Sequence, residues 1–330
     1  MSYRVSFLDV MAPTVREAIT AAMPEGFDIV FADSPEPDAQ RALLPDADFV
    51  ITGTQPFSAD MFAAAPRVRL IQKWGIGYDK IDLEAARRAG VAVAITYGAN
   101  AGPVAEHAIA LMLAVYRRLP LIDRKLRQGV WMKAEMRSVC YQIAGKRVGL
   151  LGFGNIGRMV AHRLRGFDAE VVYHDLRRAD PVTERALRAR PVSLDELLAG
   201  SDILSIHVPL TAQTRGMIDA GALARMKRGA ILINTARGGI VDEQALYASL
   251  AEGHLHGAGF DVFEQEPVDP ANPLLTLDQF VGSPHSAGGV FDNVDYVARR
   301  AFGNMQALLQ GEAISADDLI VPPGNAAAAR

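Results

Sequence analysis

The sequence has too little cysteine for a disulfide framework and no apolar run long enough for a membrane span. Its 330 residues include one cysteine, Cys140, which excludes an internal disulfide and a multi-cysteine metal site. The longest apolar stretch, residues 108–116, is far shorter than the roughly 20 residues that cross a bilayer. Residues 1–8 are too polar for a secretory signal and predict a strand. We therefore expect a cytoplasmic protein with no metal and no membrane partner.

A large charge of one sign is also missing. The formal net charge is −4 at pH 7 and the isoelectric point is near 6.0, so nothing favours nucleic acid as a partner. Half of the residues are apolar. A chain of this length and composition can bury more than one core, which predicts two domains.

Glycine, in contrast, is concentrated in a turn at residues 152–157, and the rest of the chain is organised around this turn. An apolar run at 148–151 predicts a strand before it, and helical spacing over 156–167 predicts a helix after it. Such a turn lets a dinucleotide pyrophosphate approach the backbone at a helix N-terminus. A second predicted strand, 170–174, ends at Asp175, where a carboxylate can hold the ribose hydroxyls.

The type of dinucleotide follows from the residues at the end of this second strand. Asp175 should repel a 2′-phosphate, which favours NAD over NADP. Arg177 and Arg178 come directly afterwards. They form either a solvated basic patch or a phosphate contact, so NADP stays open as the alternative.

The first hundred residues alternate β-rich and helical stretches, which predicts a small α/β domain. Its fourth predicted strand, 69–73, leads into the glycine-bracketed loop 75–79. Open parallel sheets bind ligands at such strand ends, and backbone N–H groups there could hold a carboxylate. A plain turn before the predicted helix 82–89 is the alternative.

A long helix is predicted over 103–118, and it is apolar on nearly all sides. Glu106 and His107 interrupt the apolar pattern; we interpret them as a hydrogen-bonded hinge pair, with a catalytic pair as the alternative. Residues 119–145 are predicted to form an extended connection. Apolar arms of this kind often pack on a neighbouring subunit, which predicts a homodimer.

Four more strands are predicted after Asp175, at 202–207, 230–234, 257–260 and 280–282. Together with the two strands around the glycine turn they predict a doubly wound parallel sheet. Each of the four ends in polar residues. In one parallel sheet these ends face the same edge as the glycine turn, so the chemistry is expected there.

Three of the polar side chains suit carbonyl reduction beside a nicotinamide, which needs a cation for the substrate acid group and a proton donor. Arg237, on a glycine-flanked loop, can bind a carboxylate in a bidentate manner. His285 can exchange a proton near neutral pH, and Glu266 would favour its protonated form. Taken singly, an arginine on a loop is usually a surface charge, and a histidine after proline is usually only a turn residue. Their joint placement after successive strands favours catalysis.

The chain resembles the D-isomer-specific 2-hydroxyacid dehydrogenase family over nearly its whole length. It is close to the members that are D-3-phosphoglycerate dehydrogenase-like and hydroxypyruvate or glyoxylate reductase-like. The motifs that carry the resemblance lie at 75–79, 104–107, 152–157, 234–239, 261–263, 266–267 and 283–285. The resemblance implies hydride transfer between NAD(H) and a small 2-oxo acid or D-2-hydroxy acid, with Arg237, Glu266 and His285 as the catalytic residues.

The resemblance also implies an architecture of two doubly wound, Rossmann-like α/β domains with a cleft between them. Residues 1–99 and 289–330 would form a flavodoxin-like substrate-binding domain, and residues 100–288 the NAD-binding domain. The implied cofactor contacts are Ile76, Gly152, Gly154, Asn155, Ile156, Gly157, Asp175, Val208, Thr214, Thr235, Ala236, Arg237, Asp261, His285, Ser286, Ala287 and Gly288. The implied substrate contacts are Trp74, Gly75, Ile76, Gly77 and Arg237.

Departures from the family pattern leave alternatives for the function. Residues 53–54 lack the neighbouring arginine that a phosphorylated substrate would favour, and Lys73 and Trp74 replace small residues. NAD-sensing transcriptional corepressors share the fold and the trio. Formate dehydrogenases resemble this chain but carry glutamine in place of Glu266, and phosphite dehydrogenases carry lysine in place of Ile76.

Overall fold

The computed structural model describes residues 2–324, and these divide into two compact units. The first unit comes from the segments 1–100 and 289–330, and the second is the segment 101–288. Residues 325–330, which the sequence assigns to the substrate-binding domain, lie outside the described residues. None of the helices in 2–324 has both the length and the apolar character needed to cross a membrane.

Thirteen strands and twelve α-helices occur in the described residues. The strands are β1 (Tyr3–Phe7), β2 (Phe27–Phe31), β3 (Phe49–Thr52), β4 (Leu70–Lys73), β5 (Ala92–Ala94), β6 (Arg147–Leu151), β7 (Glu170–His174), β8 (Ala189–Pro191), β9 (Ile203–Ile206), β10 (Ile231–Asn234), β11 (Gly257–Phe260), β12 (Phe280–Gly282) and β13 (Leu319–Val321). The helices are α1 (Pro13–Ala22), α2 (Pro37–Arg41), α3 (Ala59–Ala64), α4 (Leu83–Ala89), α5 (Ala101–Tyr116), α6 (Leu119–Arg127), α7 (Asn155–Leu164), α8 (Pro181–Leu187), α9 (Leu194–Gly200), α10 (Ala220–Arg225), α11 (Glu243–Ala251) and α12 (Val294–Gln310).

The first unit is built on a sheet in the order β2-β1-β3-β4-β5-β13. The first five strands are parallel, and β13 pairs with β5 in the antiparallel direction. Successive residues of β3 enter different cores: Phe49 and Ile51 belong to one, and Val50 to the other. Both faces of the sheet are therefore covered. The 2-1-3-4-5 order is that of flavodoxin-like domains, which confirms the predicted fold class.

The second unit is built on a fully parallel sheet in the order β8-β7-β6-β9-β10-β11-β12. Counted within this unit, the strand order is 3-2-1-4-5-6 with a seventh strand added, which is the Rossmann order. The order reverses between β6 and β9. Ligands of such sheets bind at this switch point, and the glycine turn 152–157 follows β6 directly.

One predicted segment differs from the structure. Residues 119–127 form helix α6, so the prediction of an extended connection over 119–145 was wrong for this part. Leu119, Ile122 and Leu126 recur at helical spacing, and Pro120 lies in the first turn, where a helix tolerates proline. None of the residues of α6 is buried within the described chain.

Candidate active site

The glycine turn after β6 has two positions where only glycine fits. A Cβ atom on Gly152, whose φ is +99°, would lie 2.7 Å from the carbonyl carbon of His207, and one on Gly157 would lie 2.3 Å from the Gly152 oxygen. At Gly154, in contrast, a Cβ would meet no described atom within 4 Å. The turn thus packs tightly on its protein side and is open where a ligand would approach.

This turn also has the chemistry of an anion site. Gly154 is the N-cap of α7 and has no side chain to bond the first helical N–H groups, which belong to Asn155, Ile156 and Gly157. Free N–H groups and the helix dipole favour a negative charge there. The five predicted cofactor residues of this segment therefore form one turn that fits a pyrophosphate.

Asp175 is held beside the turn. Its carboxylate accepts hydrogen bonds from the backbone N–H of Phe153 at 2.7 Å and of Arg177 at 2.9 Å. Arg178 forms a two-pronged ion pair with Glu184 at 2.8 and 2.9 Å, and this contact contributes most to lowering the pKa of Glu184 to about 2. Arg178 is thus engaged by a carboxylate, which reduces its suitability for a 2′-phosphate.

Thr235, at the end of β10, has a buried polar atom that suits a ligand contact. The residue is 7% exposed, and its Oγ1 has no hydrogen-bond partner among the described residues. Buried hydroxyls are nearly always paired, so this atom fits a bound cofactor. Val208 follows β9 and packs beside the glycine turn. Thr214 is engaged in its own loop, since its Oγ1 donates to Pro209 and accepts from the Thr211 N–H.

Arg237 lies on a loop that Asn234 shapes. The Asn234 side chain accepts a hydrogen bond from the Ala236 N–H at 3.1 Å and donates one to the Arg237 carbonyl at 2.9 Å. A Cβ on Gly238 would lie 1.8 Å from the carbonyl oxygen of Phe263, so the arginine loop lies directly against the loop after β11. Sequence reasoning did not assign Asn234 a role, although asparagine before a glycine-rich turn is a signal for such bonds.

Glu266 and His285 are in direct contact. His285 Nδ1 lies 3.0 and 2.9 Å from the two carboxylate oxygens of Glu266, and the side chains are 35% and 22% exposed, respectively. Glu266 also accepts a hydrogen bond from the Phe263 N–H. A carboxylate on Nδ1 fixes the orientation of the ring and therefore the position of Nε2.

The loop that carries His285 wraps around Asp261, which is 1% exposed. The N–H groups of His285, Ser286 and Ala287 all donate to Asp261, at 2.7, 2.9 and 2.9 Å, and Gly288 follows in the same loop. His285 has a left-handed φ of 52°, a conformation that costs on the order of 1–3 kcal/mol without support. The structure therefore gives Asp261 a role in holding the histidine loop.

The remaining predicted site residues form a loop of the first unit, after β4. Gly75, with φ +114°, donates a hydrogen bond to Thr96 Oγ1 at 3.1 Å and accepts one from the Thr96 N–H at 3.0 Å. Trp74 precedes this anchored position, and Ile76 and Gly77 follow it; all three are partly exposed. The loop is thus fixed at Gly75.

Glu106 and His107 on α5 are each hydrogen-bonded, but to different partners. Glu106 forms an ion pair with Arg163 at 2.8 Å. His107 Nε2 lies 2.7 Å from Ser283 Oγ. The two therefore connect α5 to separate parts of the second unit.

An open glycine turn at a sheet switch point, with a carboxylate-held histidine on the same sheet, defines a dinucleotide-dependent oxidoreductase. Residues 109–287 match the model of the D-isomer specific 2-hydroxyacid dehydrogenase family, NAD binding domain. The chain belongs to this family and is an NAD-dependent D-2-hydroxyacid dehydrogenase that transfers a hydride between NAD(H) and a 2-oxo or 2-hydroxy acid.

Relatives within the family differ in substrate. The chain is 39% identical to the glyoxylate reductase of Korarchaeum cryptofilum over 87% of its own length and 88% of that protein. It is 36% identical to the D-3-phosphoglycerate dehydrogenase of Mycobacterium bovis over 93% of its length, but spans 57% of that longer protein. An NAD complex of formate dehydrogenase from Staphylococcus aureus is 27% identical, with a TM-score of 0.85 over 98% of this chain and all of that one.

Proposed function

We propose that the protein reduces a small 2-oxo acid without a second charged group, such as glyoxylate or hydroxypyruvate, to the 2-hydroxy acid. The observation that carries this proposal is the contact of His285 Nδ1 with both oxygens of Glu266. The similarity to a glyoxylate reductase along most of both chains supports the substrate class.

Three side chains divide the work in this proposal. The Arg237 guanidinium binds the substrate carboxylate, because its planar donors match two carboxylate oxygens. His285 donates the Nε2 proton to the substrate oxygen as the carbonyl is reduced, and Glu266 stabilises the imidazolium before this transfer. Bound NADH supplies the hydride. The loop Trp74, Gly75, Ile76 and Gly77 contributes further substrate contacts, and Ile76 a cofactor contact.

A buried carboxylate in the first unit argues against a phosphorylated substrate. Asp9, 7% exposed, accepts hydrogen bonds from the N–H groups of Gly53 and Thr54 and from the Thr54 hydroxyl. Lys73 donates to the carbonyl oxygens of Gly53 and Trp74. The donors of this loop are thus committed to a negative charge of the protein itself, which disfavours a phosphate there.

The substrate proposal is tested by following NADH absorbance with purified protein. We expect kcat/KM for glyoxylate or hydroxypyruvate to exceed that for 3-phosphohydroxypyruvate by at least about tenfold, the effect of one interaction of about 1.4 kcal/mol. A preference for the phosphorylated substrate would overturn the proposed substrate class. Formate oxidation is the second arm of the test. Glu266 stands where formate dehydrogenases carry glutamine, so we expect no turnover of formate. Turnover of formate alone would favour that alternative.

The similarity to a glyoxylate reductase and a hydroxypyruvate reductase over most of the chain favours the enzyme over an NAD-sensing corepressor. Repeated turnover with a 2-oxo acid distinguishes the two functions. A protein that binds NADH but shows no multiple turnover would favour the corepressor.

We propose that the cofactor is NAD rather than NADP. Asp175 beside the turn repels a 2′-phosphate, and Glu184 engages Arg178. Replacing Asp175 by Ser should raise kcat/KM for NADPH relative to NADH. Equal use of both cofactors by the unaltered protein would contradict this assignment.

We propose a homodimer, formed through the apolar surface of α6 and the segment after it. Leu119, Leu126, Val130 and Trp131 are 55%, 56%, 46% and 74% exposed, which is unusual for large apolar side chains this close in sequence. Sedimentation equilibrium should give twice the chain mass. The double substitution Leu126→Asp and Trp131→Glu should give the single-chain mass, and an unaltered dimer would place the interface elsewhere.

We propose a cytoplasmic location, because NADH is supplied there. Fractionation of cells with an antibody against the chain tests this proposal. Recovery of the protein outside the cytoplasmic fraction would contradict it.

A further inference from the structure

A chain of three side chains connects helix α5 to the loop that carries His285. His107 Nε2, on α5, lies 2.7 Å from Ser283 Oγ, and Ser283 Oγ lies 2.6 Å from Asp261 Oδ1. The direct separation between His107 Nε2 and Asp261 Oδ1 is 3.7 Å. The serine hydroxyl therefore lies between the imidazole and the carboxylate.

The number of available protons decides which atom donates in each hydrogen bond between these three side chains. A serine hydroxyl has one proton, and here it donates that proton to the buried carboxylate of Asp261. Ser283 Oγ can then only accept from His107, so His107 Nε2 carries a proton and donates it. An apolar side chain at position 107 would leave the hydroxyl oxygen without this donor.

Asp261 is the point where the chain acts on the candidate active site. Its Oδ1 accepts from both Ser283 Oγ and the Ser286 N–H, and its Oδ2 accepts from the Ala287 N–H. The same residue accepts the His285 N–H through its backbone oxygen. A carboxylate buried to this extent keeps its position only while its hydrogen bonds are made. Rotation of the carboxylate would break its hydrogen bonds to the N–H groups of Ser286 and Ala287, the two residues that directly follow His285.

His107 sits on an element that is itself well fixed. α5 packs against α7 and against β10, β11 and β12, and its neighbours Ala105 and Ala108 are fully buried. The His107 side chain is 27% exposed. Ser283 is thus tied to a helix of the core as well as to Asp261.

We propose that His107 is a positioning residue for His285, which acts through Ser283 and Asp261 and does not touch the substrate. The inference rests on the proposed role of His285 as the proton donor. The proposal gives His107, which interrupts the apolar pattern of α5, a function in the reaction.

The first test compares His107→Leu with His107→Gln. Leucine removes the donor, and we expect kcat to fall about 10- to 100-fold, the loss that a small misplacement of a catalytic group causes. Glutamine keeps an N–H donor and should restore most of kcat. KM for the 2-oxo acid should change less than about threefold in both variants and circular dichroism should match that of the unaltered protein, whereas a general loss of structure would change both.

A matched control lies one residue away. Glu106→Gln removes the ion pair with Arg163 from the same helix, and at 69% exposure of Glu106 this pair contributes little. The control should keep kcat within about twofold. An equal loss of kcat in the control and in His107→Leu would show that any change in α5 suffices, which would overturn the proposal.

A double-mutant cycle tests the chain itself. Ser283→Ala breaks the same chain at its centre, so it also serves if His107→Leu does not fold. The combination of His107→Gln or His107→Leu with Ser283→Ala should be no worse than Ser283→Ala alone, because residues that act through one another are not additive. Fully additive losses, or wild-type kcat in His107→Leu, would overturn the inference. Normal turnover in His285→Ala would instead overturn the proposed function itself.

Discussion

His207 comes directly after β9 and His285 three positions after β12 of the same parallel sheet, yet their surroundings are opposite. The His285 side chain is 35% exposed, and its Nδ1 is bonded to both carboxylate oxygens of Glu266. His207 Nε2 lies 2.9 Å from Ser205 Oγ, and its Nδ1 is buried with no hydrogen-bond partner among residues 2–324. Burial lowers the pKa of His207 to about 3.

The difference shows that a position after a strand does not by itself suit a histidine to acid–base chemistry. An exposed ring with a carboxylate partner is accessible and is held in one orientation. The His207 ring, whose Nδ1 is buried and whose Nε2 has a hydroxyl partner, stays neutral near pH 7, because nothing offsets the cost of desolvating its charge. The partner and the burial assign the roles, and substitutions at each position can test the assignment.

The largest expected effect is that of His285→Ala. Loss of the proton donor should lower kcat by about 10²- to 10⁴-fold, the usual contribution of general acid catalysis. NADH oxidation with the best 2-oxo acid measures the effect, and circular dichroism checks the fold. Unchanged turnover would mean that His285 takes no part in the reaction, as we expect for His207.

Glu266→Gln should have the second largest effect. The amide can still bond to Nδ1 but carries no charge, and hydrogen bonds to charged groups contribute about 1.5–3 kcal/mol. We expect kcat to fall about 10- to 100-fold, since imidazolium is no longer stabilised. Glu264→Gln is the control, because the Glu264 hydrogen bond is donated by its backbone N–H to Glu243 and does not involve His285. An equal loss of kcat in both variants would contradict the proposed role of the Glu266 charge at His285.

His207 should reveal itself through the pH dependence of stability. Its pKa is about 3 in the fold, so between that value and its unfolded value of about 6.5 the unfolded chain binds more protons than the fold. Stability is therefore fully present above about pH 6.5 and falls by about 1.4 kcal/mol per unit as the pH drops. The free energy of unfolding, measured with urea between pH 7 and 4.5, should depend less steeply on pH in His207→Gln than in the unaltered protein. Parallel slopes would mean that the ring is not held neutral.

The smallest effect is expected for Ser205→Ala. This substitution removes the hydroxyl partner of His207, which should lower the free energy of unfolding by about 0.5–1.5 kcal/mol. Turnover should stay within about twofold, in contrast to Glu266→Gln. A loss of kcat comparable to that of the Glu266 variant would mean that the two histidines act in one site.

Local patterns predicted much of the fold and of the candidate site. The glycine turn after β6, the strand ends that carry Arg237 and His285, and the two α/β sheets could all be predicted, because apolar periodicity and turn residues act within a few positions. Helix α6 was mistaken for an extended segment although Leu119, Ile122 and Leu126 recur at helical spacing; packing within the described chain does not fix it, since none of its residues is buried. β13 was not predicted, since three residues at a sheet edge give no periodic signal.

By itself the sequence determined which groups are available: a turn open to a pyrophosphate, an arginine, a glutamate and several histidines at strand ends. The sequence also predicted Glu266 as the partner of His285, but only the tertiary structure decided that His207 is kept neutral. It also decided that Asp261 holds the histidine loop and that His107 lies within hydrogen-bond distance of Ser283, although the two residues are 176 positions apart along the chain. Burial and hydrogen bonding between distant residues depend on how strands pair and helices pack, and no short stretch of sequence carries that information.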